Sequence, residues 1–168
     1  MTDGKATAMV RMGELVVSGT EGDELIALGL GSCIGLALHD PVKRIVGLAH
    51  IVLPQSGSSS GTDGGPARFA DRAVPQLIAD MKRLGAAKHR LEAILAGGAK
   101  MFQLGDNLDI GRRNAEATLA ALEAHSIPVR ATATGGSSGR TMRVYVGGGR
   151  VTVKDSGGQP VVLHEGRT

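Results

Sequence analysis

Two apolar runs, Ile34 to Leu38 and Ile45 to Leu53, flank the turn-forming stretch Asp40-Pro41-Val42-Lys43. No other stretch of the chain constrains its fold as tightly, because runs of this kind joined by so short a polar connection read as a β-hairpin. The second arm returns along the first and carries His50 toward Cys33, the only cysteine. If opposed residues sum to 83, Cys33 faces His50, Gly35 faces Leu48 and Leu36 faces Gly47, so small residues sit opposite large ones. Directly opposed β-carbons lie about 4.5–5.5 Å apart, close enough for a thiol and an imidazole to interact. The turn decides this register. Pro41 suits an ordinary type I turn, which splays hairpin strands, so a longer turn or a bulge shifts the pairing by one and reverses the facing.

A chain of 168 residues can bury a sizeable core, and one domain spanning 1–168 is expected. Only 2% of the residues are aromatic against 42% hydrophobic, so the core must be close-packed from Leu, Ile, Val, Ala and Met. The net charge of +3 is spread over interspersed acidic and basic residues. With Phe69, Phe102 and Tyr145 as its only aromatics, the chain lacks the stacking platform of a sequence-tolerant nucleic-acid binder. There is no run of 18 apolar residues and no secretory pattern at the N-terminus, so no membrane insertion and a cytoplasmic location are expected. A single cysteine excludes an intrachain disulfide and agrees with that location.

Along the chain, Ala8 to Val17 predicts one or two short strands broken at Gly13, and Leu25 to Leu28 a further extended run. The Gly/Ser-rich stretch 55–65 reads as a mobile loop. Ala70, Ala73, Leu77, Met81 and Leu84 mark an amphipathic helix, with Asp71 as cap, Pro75 in its first turn and Gly85 as its stop. Leu91 to Leu95 predicts a buried strand. A second helix is expected from Gly111 to His125, capped by Asp109, with Ala115, Leu119 and Leu122 on one face. Val129 to Thr134 reads as a strand, and Arg143 to Val146 with Val151 to Val153 as a hairpin. The tail 155–168 shows no strong pattern and is expected to be flexible. Strands outnumber helices and are mostly hairpin-connected, which makes the class α+β, with about two to three helices on a mixed or antiparallel, sandwich-like core.

An unperturbed thiol is only about 3% thiolate near pH 7, so a nucleophilic cysteine needs a base beside it. His50 can serve Cys33 first as general base and then as acid to a departing amine. An oxyanion site needs donors held about 3 Å from the developing charge, and the Gly-Leu-Gly-Ser-Cys backbone offers the amides of Gly31, Ser32 and Cys33. His39 lies six residues from Cys33, but one cysteine and scattered histidines match no zinc spacing. The glycine-rich stretches likewise match neither a dinucleotide loop nor a P-loop.

LGSCIGLALHDP followed by GLAHIVLP resembles the signature of the chemoreceptor glutamine deamidases of bacterial chemotaxis, the CheD family. FADRAVPQLIADMKRLGA, AGGAKMF, IGRRNAEATLAALEAHSIPV and GGSSGR follow in that family's order, so the resemblance covers Leu28 to Val153. It implies a fold like that of CNF1-type cysteine hydrolases and hydrolysis of receptor glutamine side chains to glutamate and ammonia. By the same implication Cys33 is the nucleophile, His50 its base, and no metal or cofactor is required. The family has threonine six residues before the cysteine to orient the histidine; this chain has Ala27 there, so the third triad position is left open, and a backbone carbonyl can fill the role since it needs only an acceptor that fixes the tautomer. The implied partners are methyl-accepting chemotaxis receptors and a CheC-type phosphatase. A second reading makes the chain a non-catalytic binding module acting through those partners, and Ala27 favours it.

Overall fold

The computed structural model describes residues 5–57, 64–101 and 109–167. Among them are ten strands: β1 (Thr7–Met9), β2 (Leu15–Ser18), β3 (Glu24–Leu30), β4 (Ile34–Asp40), β5 (Ile45–Ile51), β6 (Glu92–Gly97), β7 (Val129–Thr134), β8 (Arg140–Tyr145), β9 (Val151–Asp155) and β10 (Val161–His164). Two α-helices accompany them, α1 (Ala70–Arg83) and α2 (Ile110–Ala124). An outer sheet has the order β1-β3-β8-β9-β10 and a central sheet the order β2-β5-β4-β6-β7. Both are mixed, since β1 pairs parallel with β3 and β6 parallel with β7. The class is therefore α+β, as the pattern of strands and helices predicts.

The central sheet is covered on both faces, which is why β4 and β5 are buried at every position and their sequences run almost continuously apolar. Alternation assigns the faces. Ile34, Leu36 and Leu38 pack with Leu77, Ile78 and Met81 of α1. Cys33 and Ala37 pack instead with Leu25 and Leu30 of β3 and Met142 and Val144 of β8, between the two sheets.

The hairpin forms, but its register differs from the expected one. Gly35 pairs with His50 and Asp40 with Ile45, so opposed residues sum to 85 and the loop is Pro41–Arg44. A two-residue hairpin turn needs positive φ at its first position, which proline cannot adopt. The chain instead uses four residues, with Arg44 at φ 58° and its N–H donating to Asp40 O at 2.8 Å. Asp40 Oδ1 accepts from Val42 N at 3.0 Å and Lys43 N at 3.1 Å, and the buried carboxylate also pairs with Arg90 at 3.0 Å. The displacement is by two, so every side chain keeps its expected face.

Both helices depart in detail from the pattern read along the chain. Asp71 does not cap α1; Phe69 is the N-cap residue, without a side-chain bond, and Asp71 holds Ser56 N at 3.0 Å and Oγ at 2.8 Å. Leu84 is the exposed C-cap rather than a core residue, and the next two amides, Gly85 and Ala86, bond back to Lys82 O and Met81 O in a Schellman motif. In α2, Asp109 does cap, accepting from Arg112 N at 3.1 Å. Its buried face is Gly111, Asn114, Thr118 and Leu122, whereas Leu119 is exposed. The tail contributes β10, and Arg167 N donates to Gly148 O at 2.7 Å. The expected mobile loop 55–65 falls mainly on residues 58–63, which lie outside the described residues. No helix among the described residues is long and apolar enough to cross a membrane.

Candidate active site

β3 ends the outer-sheet strand at Leu30, β4 begins in the central sheet at Ile34, and Gly31-Ser32-Cys33 make the crossing between them. Each of the three carbonyls is claimed from another element. Gly31 O accepts from Ala99 N at 2.8 Å, Ser32 O from Asn114 Nδ2 at 2.9 Å and Cys33 O from Gly98 N at 2.9 Å. The Gly31 N–H turns back to Gly29 O at 2.9 Å, so that backbone candidate is already engaged. Among the described residues, the amides of Ser32 and Cys33 donate to no other backbone group. Gly97 makes this crossing possible: its φ is +107°, and a β-carbon there would stand 2.2 Å from the Cys33 carbonyl oxygen.

His50 pairs with Gly35 and therefore lies diagonally across from Cys33 on the face between the sheets. Diagonal neighbours are roughly 7 Å apart, so the residues share a face without being directly opposed. The imidazole is 2% exposed, and its Nδ1 is 2.9 Å from Val10 O. A carbonyl only accepts, so Nδ1 carries the hydrogen and Nε2 the lone pair. Nε2 is buried and has no hydrogen-bond partner among the described residues, Cys33 included. Val10 is itself fixed by donating to Ile26 O at 2.7 Å. Ala27, at the position where the resemblance expects threonine, is fully buried in the core between the sheets and has no polar side-chain atom to offer the ring.

Burial pushes the Cys33 thiol up from its ordinary value. Burial also lowers His50, against the bond to Val10 and the nearby Glu14 carboxylate, which raise it. Near pH 7 the resting pair is thiol and neutral imidazole. A cavity of about 390 Å³ opens beside the imidazole, walled by Met9, Val10, Arg11, Met12, Leu28 and His50. Its described walls do not include Cys33. His39 sits at the far end of β4, buried, with Nε2 3.1 Å from Gly147 O, and belongs to the packing there. No group of three or more metal-binding side chains exists among the described residues.

Asn114 escaped the reading of the chain. A polar residue in a helix ordinarily faces solvent, and the apolar stripe of Ala115, Leu119 and Leu122 runs beside it. Its one sequence signal is position: it lies on the same helical stripe as Gly111, Thr118 and Leu122, at spacings of three and four.

A family model described as CheD chemotactic sensory transduction matches residues 52–155. A relative from Symbiobacterium thermophilum, named probable chemoreceptor glutamine deamidase CheD, is 44% identical over 160 residues, covering 94% of this chain and 96% of its own. The chain belongs to the CheD family. A second CheD relative, from Desulfitobacterium hafniense and of the same name, is 46% identical over 133 residues, covering 77% of this chain and 82% of its own. Among solved structures, YlmD from Geobacillus stearothermophilus is similar at a TM-score of 0.49 and 12% identity, over 80% of this chain and 60% of that one. The CheD family match begins after His50, so the crossing and the imidazole are joined to it through the Symbiobacterium relative, which covers nearly the full length.

Proposed function

We propose that this chain is a chemoreceptor glutamine deamidase, hydrolysing glutamine side-chain amides of receptors to glutamate and ammonia. The observation that carries the reading is the buried, unpartnered Nε2 of His50 on the same face as the lone thiol of Cys33, with its tautomer set by Val10 O. The names of the relatives support the substrate.

In this mechanism Nε2 takes the Cys33 proton as sulfur attacks the glutamine Cδ. The oxyanion forms against the Ser32 and Cys33 N–H groups. His50 returns the proton to the nitrogen, the C–N bond breaks, and ammonia leaves a thioester. A water then gives its proton to His50 and its oxygen to the same carbon; the C–S bond breaks, Cys33 is reprotonated and glutamate departs. No step calls on a metal or cofactor. The diagonal spacing of sulfur and imidazole is closed in the substrate complex, where catalytic hydrogen bonds commonly tighten. The apolar cavity beside His50 suits the flank of a receptor segment.

Incubation with a receptor cytoplasmic fragment is expected to add about 1 Da per modified glutamine, and Cys33→Ala to abolish the gain. Full activity in Cys33→Ala sinks the mechanism. The alternative, a non-catalytic module, is favoured by Ala27; the main-chain carbonyl at His50 Nδ1 supports the catalytic reading in its place. Association with a CheC-type phosphatase remains part of the proposal as a second partnership independent of Cys33. Co-sedimentation tests it, and absence of binding by both the unmodified protein and the Cys33→Ala variant refutes it.

A further inference from the structure

Asn114 is wholly buried on α2, and its Nδ2 stands 2.9 Å from both Ser32 O and Val52 O. Two carbonyl oxygens require two hydrogens, which a carboxamide nitrogen carries on one atom; the reversed amide would set oxygen against oxygen. Oδ1 is left buried and without a partner among the described residues, so the orientation of the group is dictated by its nitrogen. In a trans peptide the C=O and the following N–H point to opposite sides. Holding Ser32 O toward α2 therefore turns the Cys33 N–H away from α2. Ala99 N does the same through Gly31 O for the Ser32 N–H. The second bond, to Val52 O, ties this peptide to the chain just past His50's strand.

We infer that Asn114 is the positioning residue of the oxyanion site: it fixes the Ser32–Cys33 peptide plane so that the Cys33 N–H meets the tetrahedral intermediate. The inference rests on the amide-hydrolase reading above, and it adds a member to the site that acts only through backbone.

Two reactions of the single thiol separate this role from a structural one. With p-nitrophenyl acetate, sulfur bonds to the carbonyl carbon, an oxyanion forms, and the C–O bond breaks to release p-nitrophenolate while the thiol proton passes to His50. With iodoacetamide, sulfur displaces iodide at a saturated carbon and no oxyanion arises. Asn114→Ala and Asn114→Asp are each expected to slow the acylation burst about 10-fold or more while leaving alkylation within about 2-fold of the unmodified protein. Equal slowing of both reactions, an unchanged burst, or alkylation rising in both variants to the rate of urea-unfolded protein overturns the inference. So does the absence of a Cys33-dependent burst in the unmodified protein. A normal burst without receptor glutamine hydrolysis overturns the proposed substrate and leaves the role of Asn114 standing.

Discussion

Replacing Gly97 by alanine tests whether the Cys33 crossing is seated by main-chain contact. Two costs combine at Gly97. At φ +107° an alanine is strained, at roughly 1–3 kcal/mol for a residue in a region that is essentially glycine's own. The new methyl would also lie 2.2 Å from the Cys33 carbonyl oxygen, about 1 Å inside ordinary contact. Relieving that overlap means moving a carbonyl that accepts from Gly98 N, which forfeits about 1 kcal/mol of hydrogen bonding and disturbs Leu30, whose β-carbon is 3.3 Å away. The sum is about 2–4 kcal/mol. Gly85 supplies the control: its φ is +111°, but nothing lies within 4 Å of its built β-carbon. Gly85→Ala thus carries the strain without the collision, at about 1–3 kcal/mol. For a domain of this size a loss of 1 kcal/mol lowers Tm by about 2–4 °C, so the lost hydrogen bond alone is expected to make Gly97→Ala melt roughly 2–4 °C below Gly85→Ala, and the overlap widens the gap. A 1 Å misplacement of the crossing is expected to lower deamidation about 100-fold in Gly97→Ala and leave Gly85→Ala near the unmodified rate. Calorimetry and a mass-resolved deamidation assay read the two quantities. Equal melting temperatures, or a Gly97→Ala protein with full activity, refute the seating argument.

Because burial lowers His50, its neutral form persists further into acid; the acid limb of deamidation is expected to have its midpoint below 6.5, and a midpoint above that value contradicts the buried imidazole. The same lowered value means that the unfolded chain binds more protons below pH 6.5, so stability against urea is expected to fall from pH 7 to pH 5 less in His50→Gln than in the unmodified protein. Burial alone would raise the Asp40 carboxyl, but hydrogen bonds from Arg90, Ala87, Lys43 and Val42 bring it down to about 2, so its contribution is present above pH 3.8 and lost as pH falls through about 2. Asp40→Ala leaves Arg90 and those amides without their acceptor and is expected to cost about 3 kcal/mol in urea melts at pH 7; a cost under about 1 kcal/mol argues against the Asp40 hub. Ala27→Thr puts a hydroxyl and a methyl into a fully buried site and is expected to cost about 1–3 kcal/mol without raising turnover beyond about 2-fold. A large gain in turnover shows that Val10 O orients His50 poorly.

What could be read in advance divides along physical lines. The common face of Cys33 and His50 follows from the two-residue period of strands, and it survived because the register moved by an even number. The register itself was hidden in the turn, where Pro41 barred the short hairpin and Arg44 took a left-handed conformation that an arginine does not advertise. Both helices were visible as periodic patterns, but Leu84 and Leu119 show that an apolar residue on the predicted stripe can end in solvent when the neighbouring layer stops short of it. The parallel pairs β1–β3 and β6–β7 join distant segments and leave no local trace. That a main-chain carbonyl could orient His50 is legible from Ala27, but Asn114 and the identity of that carbonyl, Val10 O, are not, because one acts through backbone and the other is backbone.

In the proposed mechanism Val10 O takes the place of the triad's third side chain, and no side-chain substitution at position 10 deletes it. A threonine hydroxyl is lost by mutation of one codon, whereas a peptide carbonyl is present whatever residue occupies position 10. The vulnerability moves from chemistry to posture. Val10 is held by its bond to Ile26 O, and β1 just before it pairs parallel with β3, so displacing β1 is expected to be felt forty positions away, as a drift in which ring nitrogen of His50 holds the proton.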